Sequence, residues 1–219
     1  MTLIVAALTK KKGFLFGDQT RTISSKDGSP IQIQMDNIKI TTTGNVYWQN
    51  SGTKIIPICN NTAYIAMAGS DEKFKTFVQA LREVKKYDDI NSFTSQYWLK
   101  HGDDSPDQFI LLSKSNDKVF TEYYFKYEDA RYKSYCNYTY LPKDSKVLFI
   151  AIGSGSEAFY GFIRILNDEI EKQYNEAFSQ GSILQWENDL KEKIKSIYSD
   201  IHHQIRGVGE DVDIAEVEL

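Results

Sequence analysis

The chain has 219 residues, a formal net charge of −4, and 41% hydrophobic and 13% aromatic residues. That length and apolar content suit one domain with a sizeable core. With no basic surplus a nucleic-acid partner is not expected, and no apolar run nears the roughly 18 residues of a membrane span.

The first apolar run is Leu3–Leu8, and Phe14–Phe16 follows after Lys10-Lys11-Lys12-Gly13. The first run is too short, and lacks the preceding positive charge, for a signal peptide. Cys59 and Cys136 read as small buried thiols in a reducing compartment, so a soluble, cytoplasmic protein is expected. Ile55–Cys59 and Tyr64–Ala68 form another close pair, separated by Asn60-Asn61, which tolerates the positive φ of a tight hairpin. Phe109–Leu112 and Val147–Ile152 complete the set. These runs are nearly continuous in apolar residues, the pattern of strands covered on both faces. Short connections make neighbours antiparallel.

Helical spacing appears over Asp71–Val84 through Phe74, Phe77, Val78, Leu81 and Val84, and a shorter candidate covers Asn91–Lys100. A third helix runs from Ser156, as a cap, to about Phe178, and Gln180-Gly181-Ser182 breaks it. A fourth covers Ile183–Ile205, with Trp186, Leu190, Ile194, Ile197, Ile201 and Ile205 on one stripe. Val212–Val217 reads as a last strand. Strands, two helices, strands, two helices and a strand predict an α+β fold. Its expected form is a four-layer αββα sandwich of two packed antiparallel sheets flanked by helices, one domain over 1–219. Residues 23–53, rich in Ser, Thr, Gly and Asn, read as a β-rich insertion. It has alternating pieces at Ile31–Met35 and Ile38–Ile40 and a hairpin tip at Thr43-Gly44-Asn45.

The chemistry begins at Met1-Thr2. Methionine is removed before small residues, and an N-terminal threonine then holds nucleophile and base in one residue. Its hydroxyl attacks and its α-amine, with a pKa near 7.7–8.0, accepts the proton. The hairpin Gly13–Gly17 returns toward the start of the first strand and brings Asp18 beside Thr2. A lysine next to that aspartate stays charged, and a fixed cation near the threonine eases loss of its proton. Taken singly these residues also fit plain structural roles: Asp18 in a turn, Lys54 among 26 basic residues on a solvated face, Gly153-Ser154-Gly155 in a loop before a helix.

Taken together, the elements resemble, in order and over most of the chain, the proteasome β-subunits and the bacterial HslV peptidase, N-terminal nucleophile hydrolases. The spacing from Thr2 to Asp18 matches that from nucleophile to acid, and Asp18-Gln19-Thr20-Arg21-Thr22 is similar to the family's acid-to-threonine segment. Lys54 ahead of an apolar strand resembles the catalytic lysine. Met67-Ala68-Gly69 is similar to the segment whose glycine N–H serves the oxyanion hole, and Gly153-Ser154-Gly155 to the segment whose serine supports the amine. The resemblance implies Thr2, Asp18, Lys54 and Ser154 as catalytic, Gly69 in the oxyanion hole, and Arg21, Thr22, Met67 and Asp71 around the substrate. It further implies threonine endopeptidase activity on polypeptide substrates in a self-compartmentalised homo-oligomer, an ATPase or other activator, and no cofactor. The same resemblance admits a catalytically silent assembly subunit or a stand-alone amidohydrolase or transpeptidase. The chain departs from the family pattern in two places: the insertion is longer by roughly twenty residues, and Gln204–Ile214 carries no matching Asp and Ser, with Asp200 too early.

Two further features invite other readings. His202 and His203, adjacent on a helix, point about 100° apart and are not expected to hold a metal. The Tyr-rich stretch Tyr123–Tyr140 reads as a hairpin with aromatic cross-strand pairs or a subunit contact, ahead of base stacking.

Overall fold

The computed structural model describes residues 2–23, 29–35, 38–43, 46–48, 52–69, 71–84, 88–101, 108–115, 118–125 and 135–219. Among these, strands β1 (Ile4–Leu8) and β2 (Lys12–Asp18) form the first hairpin, in the register Ile4↔Gly17 to Leu8↔Gly13. They are flanked by β12 (Leu148–Ile152) on one side and β13 (Val212–Glu218) on the other, giving the order β12-β1-β2-β13. A second sheet runs β11-β10-β9-β8-β7, from β7 (Ile55–Ile58), β8 (Ala63–Ala68), β9 (Gln108–Ser115), β10 (Lys118–Phe125) and β11 (Tyr135–Tyr140). Every pairing within both sheets is antiparallel. At the turn between β7 and β8, Cys59, Asn60 and Asn61 all have positive φ, 49°, 56° and 65°. This is the left-handed turn that the two asparagines predicted. The register Phe120↔Tyr140 to Phe125↔Tyr135 pairs the two ends of the Tyr-rich stretch as β10 and β11, and residues 126–134, with Tyr127 and Tyr132, lie outside the described residues.

Strand alternation sorts the apolar side chains into three clusters. Ile4, Ala6, Leu8 and Leu15 of the first sheet meet Ile55, Ala66, Ala68, Ile110, Leu112 and Val119 of the second. Leu3, just ahead of β1, and the opposite residues of β1 and β2, among them Val5, Ala7, Phe14 and Phe16, pack against helices α3 (Ser156–Gln180) and α4 (Ile183–Gln204). On the far face of the second sheet, Ile65, Met67, Phe109 and Leu111 pack under α1 (Asp71–Leu81) and α2 (Asp88–His101), with Phe77 stacked edge-on to Tyr97 at 4.9 Å. The doubly covered strands therefore read correctly as continuous apolar runs, and the fold is mixed α+β with antiparallel sheets.

Several details differ from expectation. α1 ends at Leu81 rather than Val84, and α2 starts earlier, at Asp88. Gly155, not Ser156, caps α3; the Ser156 hydroxyl instead donates to the Gly153 carbonyl at 2.7 Å. Gly181 ends α3 at φ 69°, where its missing Cβ removes the left-handed penalty. In the insertion, β4 (Ile31–Met35) pairs with β5 (Ile38–Thr42), and β3 (Arg21–Ile23) with β6 (Val46–Trp48). The hairpin of that stretch is thus β4–β5; Gly44 and Asn45 of the expected tip lie outside the described residues.

Candidate active site

The β1–β2 register places Leu3 across from Asp18, one step beyond Ile4↔Gly17. The Asp18 N–H donates to the Leu3 carbonyl at 3.3 Å, and the Leu3 N–H donates to Asp18 Oδ2 at 2.7 Å. Asp18 is fully buried. A buried carboxylate is tolerated only when its lone pairs are met. Here Oδ1 accepts from the Thr20 N–H at 2.9 Å and from Lys54 Nζ at 2.8 Å.

Lys54 arrives from the other sheet, at the entry to β7. Its Nζ donates to Thr2 Oγ1 at 2.5 Å as well as to Asp18. The ammonium thus bridges the hydroxyl and the buried carboxylate, with its side chain almost wholly enclosed. Thr53, one residue earlier, holds this entry by donating its hydroxyl to the Ile55 carbonyl at 3.1 Å.

A second contribution comes from the start of α3. The Thr2 nitrogen donates to Ser154 Oγ at 3.1 Å, and the Thr2 carbonyl accepts from the Gly155 N–H at 3.4 Å. The positive end of the α3 dipole therefore faces the Thr2 peptide unit. Gly153 makes this approach feasible. It has φ +90°, and a β-carbon built there would overlap the Thr2 carbonyl and lie 3.3 Å from Ala68 Cβ. Its N–H is fixed by Gln108 Oε1 at 2.9 Å.

The remaining residues read from the sequence fall nearby or outside the description. Gly69, at φ 131°, follows β8 directly after Ala68, on the strand end that abuts Gly153. Met67 is buried on the opposite face, in the cluster under α1. Arg21 and Thr22 are the first residues of β3 and Asp71 opens α1; their side chains lie outside the described residues.

Tyr198 was not singled out in the sequence. Its hydroxyl, on α4, lies 3.2 Å from the carbonyls of both Leu3 and Phe16. Burial, and secondarily the Asp18 charge, holds the phenol well above its ordinary range, so it remains a proton donor. The available signal was its place beside Ile194, Ile197 and Ile201 on a core stripe, since a buried tyrosine hydroxyl requires a partner. At the end of α4, Ser199 bonds Glu210 at 3.0 Å and Asp200 is exposed, so neither reaches Asp18 or Thr2. His202 Nδ1 lies 2.7 Å from the Val208 carbonyl and so ties down the following turn.

No protein-family model and no curated protein sequence matches the chain. Its structure is similar to a crystal structure of eukaryotic HslV from Trypanosoma brucei, at 15% sequence identity and a TM-score of 0.51, over 100% of both chains. At that identity the likeness is one of fold: the chain has an HslV-like arrangement of antiparallel sheets and helices.

Proposed function

We propose that this chain is a threonine-type endopeptidase on a four-layer αββα frame, with Thr2 as nucleophile once Met1 is removed. The observation that carries the reading is the Lys54 ammonium bridging Thr2 Oγ1 at 2.5 Å and Asp18 Oδ1 at 2.8 Å. A threonine in a merely structural strand start has no need of a buried, carboxylate-anchored cation on its hydroxyl.

In this mechanism, removal of Met1 turns the Thr2 nitrogen into an amine, held by Ser154 Oγ. The amine takes the hydroxyl proton while Lys54 stabilises the developing alkoxide. Thr2 Oγ attacks the peptide carbonyl, and the tetrahedral oxyanion is received by the Gly69 N–H. The amine then protonates the leaving nitrogen, giving an acyl-threonine, and directs a water that hydrolyses it. The family resemblance assigns Arg21, Thr22, Met67 and Asp71 to substrate binding, and of these Met67 is buried in the cluster under α1. Assembly into a homo-oligomer that encloses the site, served by an ATPase or other activator, is in keeping with the HslV-like fold.

Intact-mass measurement and a small β-lactone probe test this directly. The expected result is a chain lacking Met1 that gains one acyl group on Thr2 and cleaves unfolded casein. Retention of Met1, or equal cleavage by Thr2→Ala, would overturn it. The second reading, a catalytically silent assembly subunit of the same fold, is favoured by one observation: in the last turns of α4, Ser199 bonds Glu210 and Asp200 is exposed, and neither bonds Thr2. A chain that assembles but takes no acyl group would uphold that reading instead.

A further inference from the structure

Residues 19–20 join Asp18 to β3, and they are gripped from the C-terminal end of the chain. The Gln19 N–H donates to the Asp211 carbonyl at 3.1 Å, and Gln19 Nε2 donates to Asp213 Oδ1 at 2.7 Å. Thr20 is buried, and a β-carbon on Gly209 would stand 2.5 Å from its Oγ1 and 3.1 Å from its nitrogen. The turn at 209 therefore presses on residue 20 as only a glycine permits.

Asp213 is an unexpected residue for its position. It lies opposite Gly17 on β2, and its same-face neighbours along β13, Ala215 and Val217, belong to the cluster between the two sheets. Its Oδ2 is buried with no hydrogen-bond partner among the described residues. A half-met carboxylate costs free energy that an apolar residue would avoid. What the charge supplies is a strong, directional acceptor for the Gln19 amide.

That grip has a target. β3 has three residues and pairs with β6 in a separate two-stranded ribbon. Such a ribbon is barely stable alone, so its placement depends on its anchorage. We propose that Gln19 and Asp213 are a positioning pair that sets β3, with Arg21 and Thr22, at the angle from which an extended peptide is presented to Thr2. The presentation of peptide rests on the peptidase reading above; the grip on β3 does not.

The test exchanges donor and acceptor. Gln19→Glu puts two carboxylates face to face, and adding Asp213→Asn restores one donor and one acceptor with roles reversed. Amide hydrogen exchange in the full chain is expected to quicken about tenfold over residues 20–23 in Q19E, while the Leu3 amide keeps its protection. For peptide hydrolysis KM should rise about tenfold with kcat unchanged. β-Lactone labelling of Thr2 should proceed at the wild-type rate, and Q19E/D213N should recover both exchange and KM. Unaltered exchange in Q19E, or no recovery in the double variant, overturns the proposal. A rise in exchange with KM unmoved overturns the presentation role. A wild-type chain that turns over no peptide sinks the peptidase reading, and the exchange measurement then decides the grip by itself.

Discussion

Gly153 faces the carbonyl of Thr2 so closely that a β-carbon at Gly153 has no room, and its φ of +90° excludes an ordinary side chain independently. Gly153→Ala must therefore move either Thr2 or the start of α3. A left-handed alanine alone costs about 1–3 kcal/mol. The expected outcome is loss of Thr2 acylation with helix content retained, read by mass spectrometry and circular dichroism.

Asp18 and Lys54 should respond unequally to truncation. Asp18→Ala leaves the enclosed Lys54 ammonium without its anchor and exposes the Leu3 and Thr20 amides to an empty site. Removing one partner of a buried pair costs about 3–5 kcal/mol. Lys54→Met keeps much of the bulk, but the Asp18 charge loses its counterion, so stability also falls. Its larger effect is on chemistry, with kcat reduced about 100-fold or more. Urea unfolding and peptide turnover separate the two effects.

Ser154 is exposed, and it touches Thr2 through a single hydroxyl. Ser154→Ala should leave the unfolding free energy within about 1 kcal/mol of wild type. Turnover should fall, and the acidic limb of its pH profile should move, because the Thr2 nitrogen loses its acceptor. An unchanged profile would remove Ser154 from the mechanism.

Tyr198 links stability to alkaline pH. Its phenol is held above the ordinary value of 10.0, so the folded chain binds that proton more tightly than the unfolded chain. The matching stability is fully present below pH 10.0 and is lost as pH rises from there through the folded value. Lys12 is also raised: burial would lower it, but its pairing with Glu187 prevails, so its contribution fades in the same direction. Tyr198→Phe should lower stability at neutral pH by about 1 kcal/mol and flatten the decline above pH 10.0. Urea titrations across that range measure both.

Much of the fold was legible because strand chemistry is local. The short link between Leu8 and Gly13 forces Leu3 opposite Asp18, so the nearness of Asp18 to Thr2 follows from counting residues along a hairpin. Lys54 was different. It comes from the other sheet, and only family resemblance singled it out among the basic residues. Tyr198 escaped notice because its role depends on how α4 is rotated over β1 and β2, which an apolar stripe specifies only to within a residue. The Gln19–Asp213 bond spans 194 positions, beyond any local pattern. In the insertion, alternation identified Ile31–Met35 and Ile38–Ile40 as strands, yet the partner choice of β3 with β6 depended on contacts that no period encodes.

The proposed reacting group is stitched across a seam. Thr2 and Asp18 belong to one sheet and Lys54 to the edge of the other, and between them lies the core of Ile4, Leu15, Ile55 and Ala66. Along β2, Gly17 leaves only 3.2 Å between a would-be β-carbon and Ile55 Cγ1, and 3.6 Å to Lys54 Cβ. The constellation thus acts as a gauge of sheet separation. Substitutions that swell or slacken this interior, far from any reacting atom, would be reported first as a changed reach of Lys54 toward Thr2.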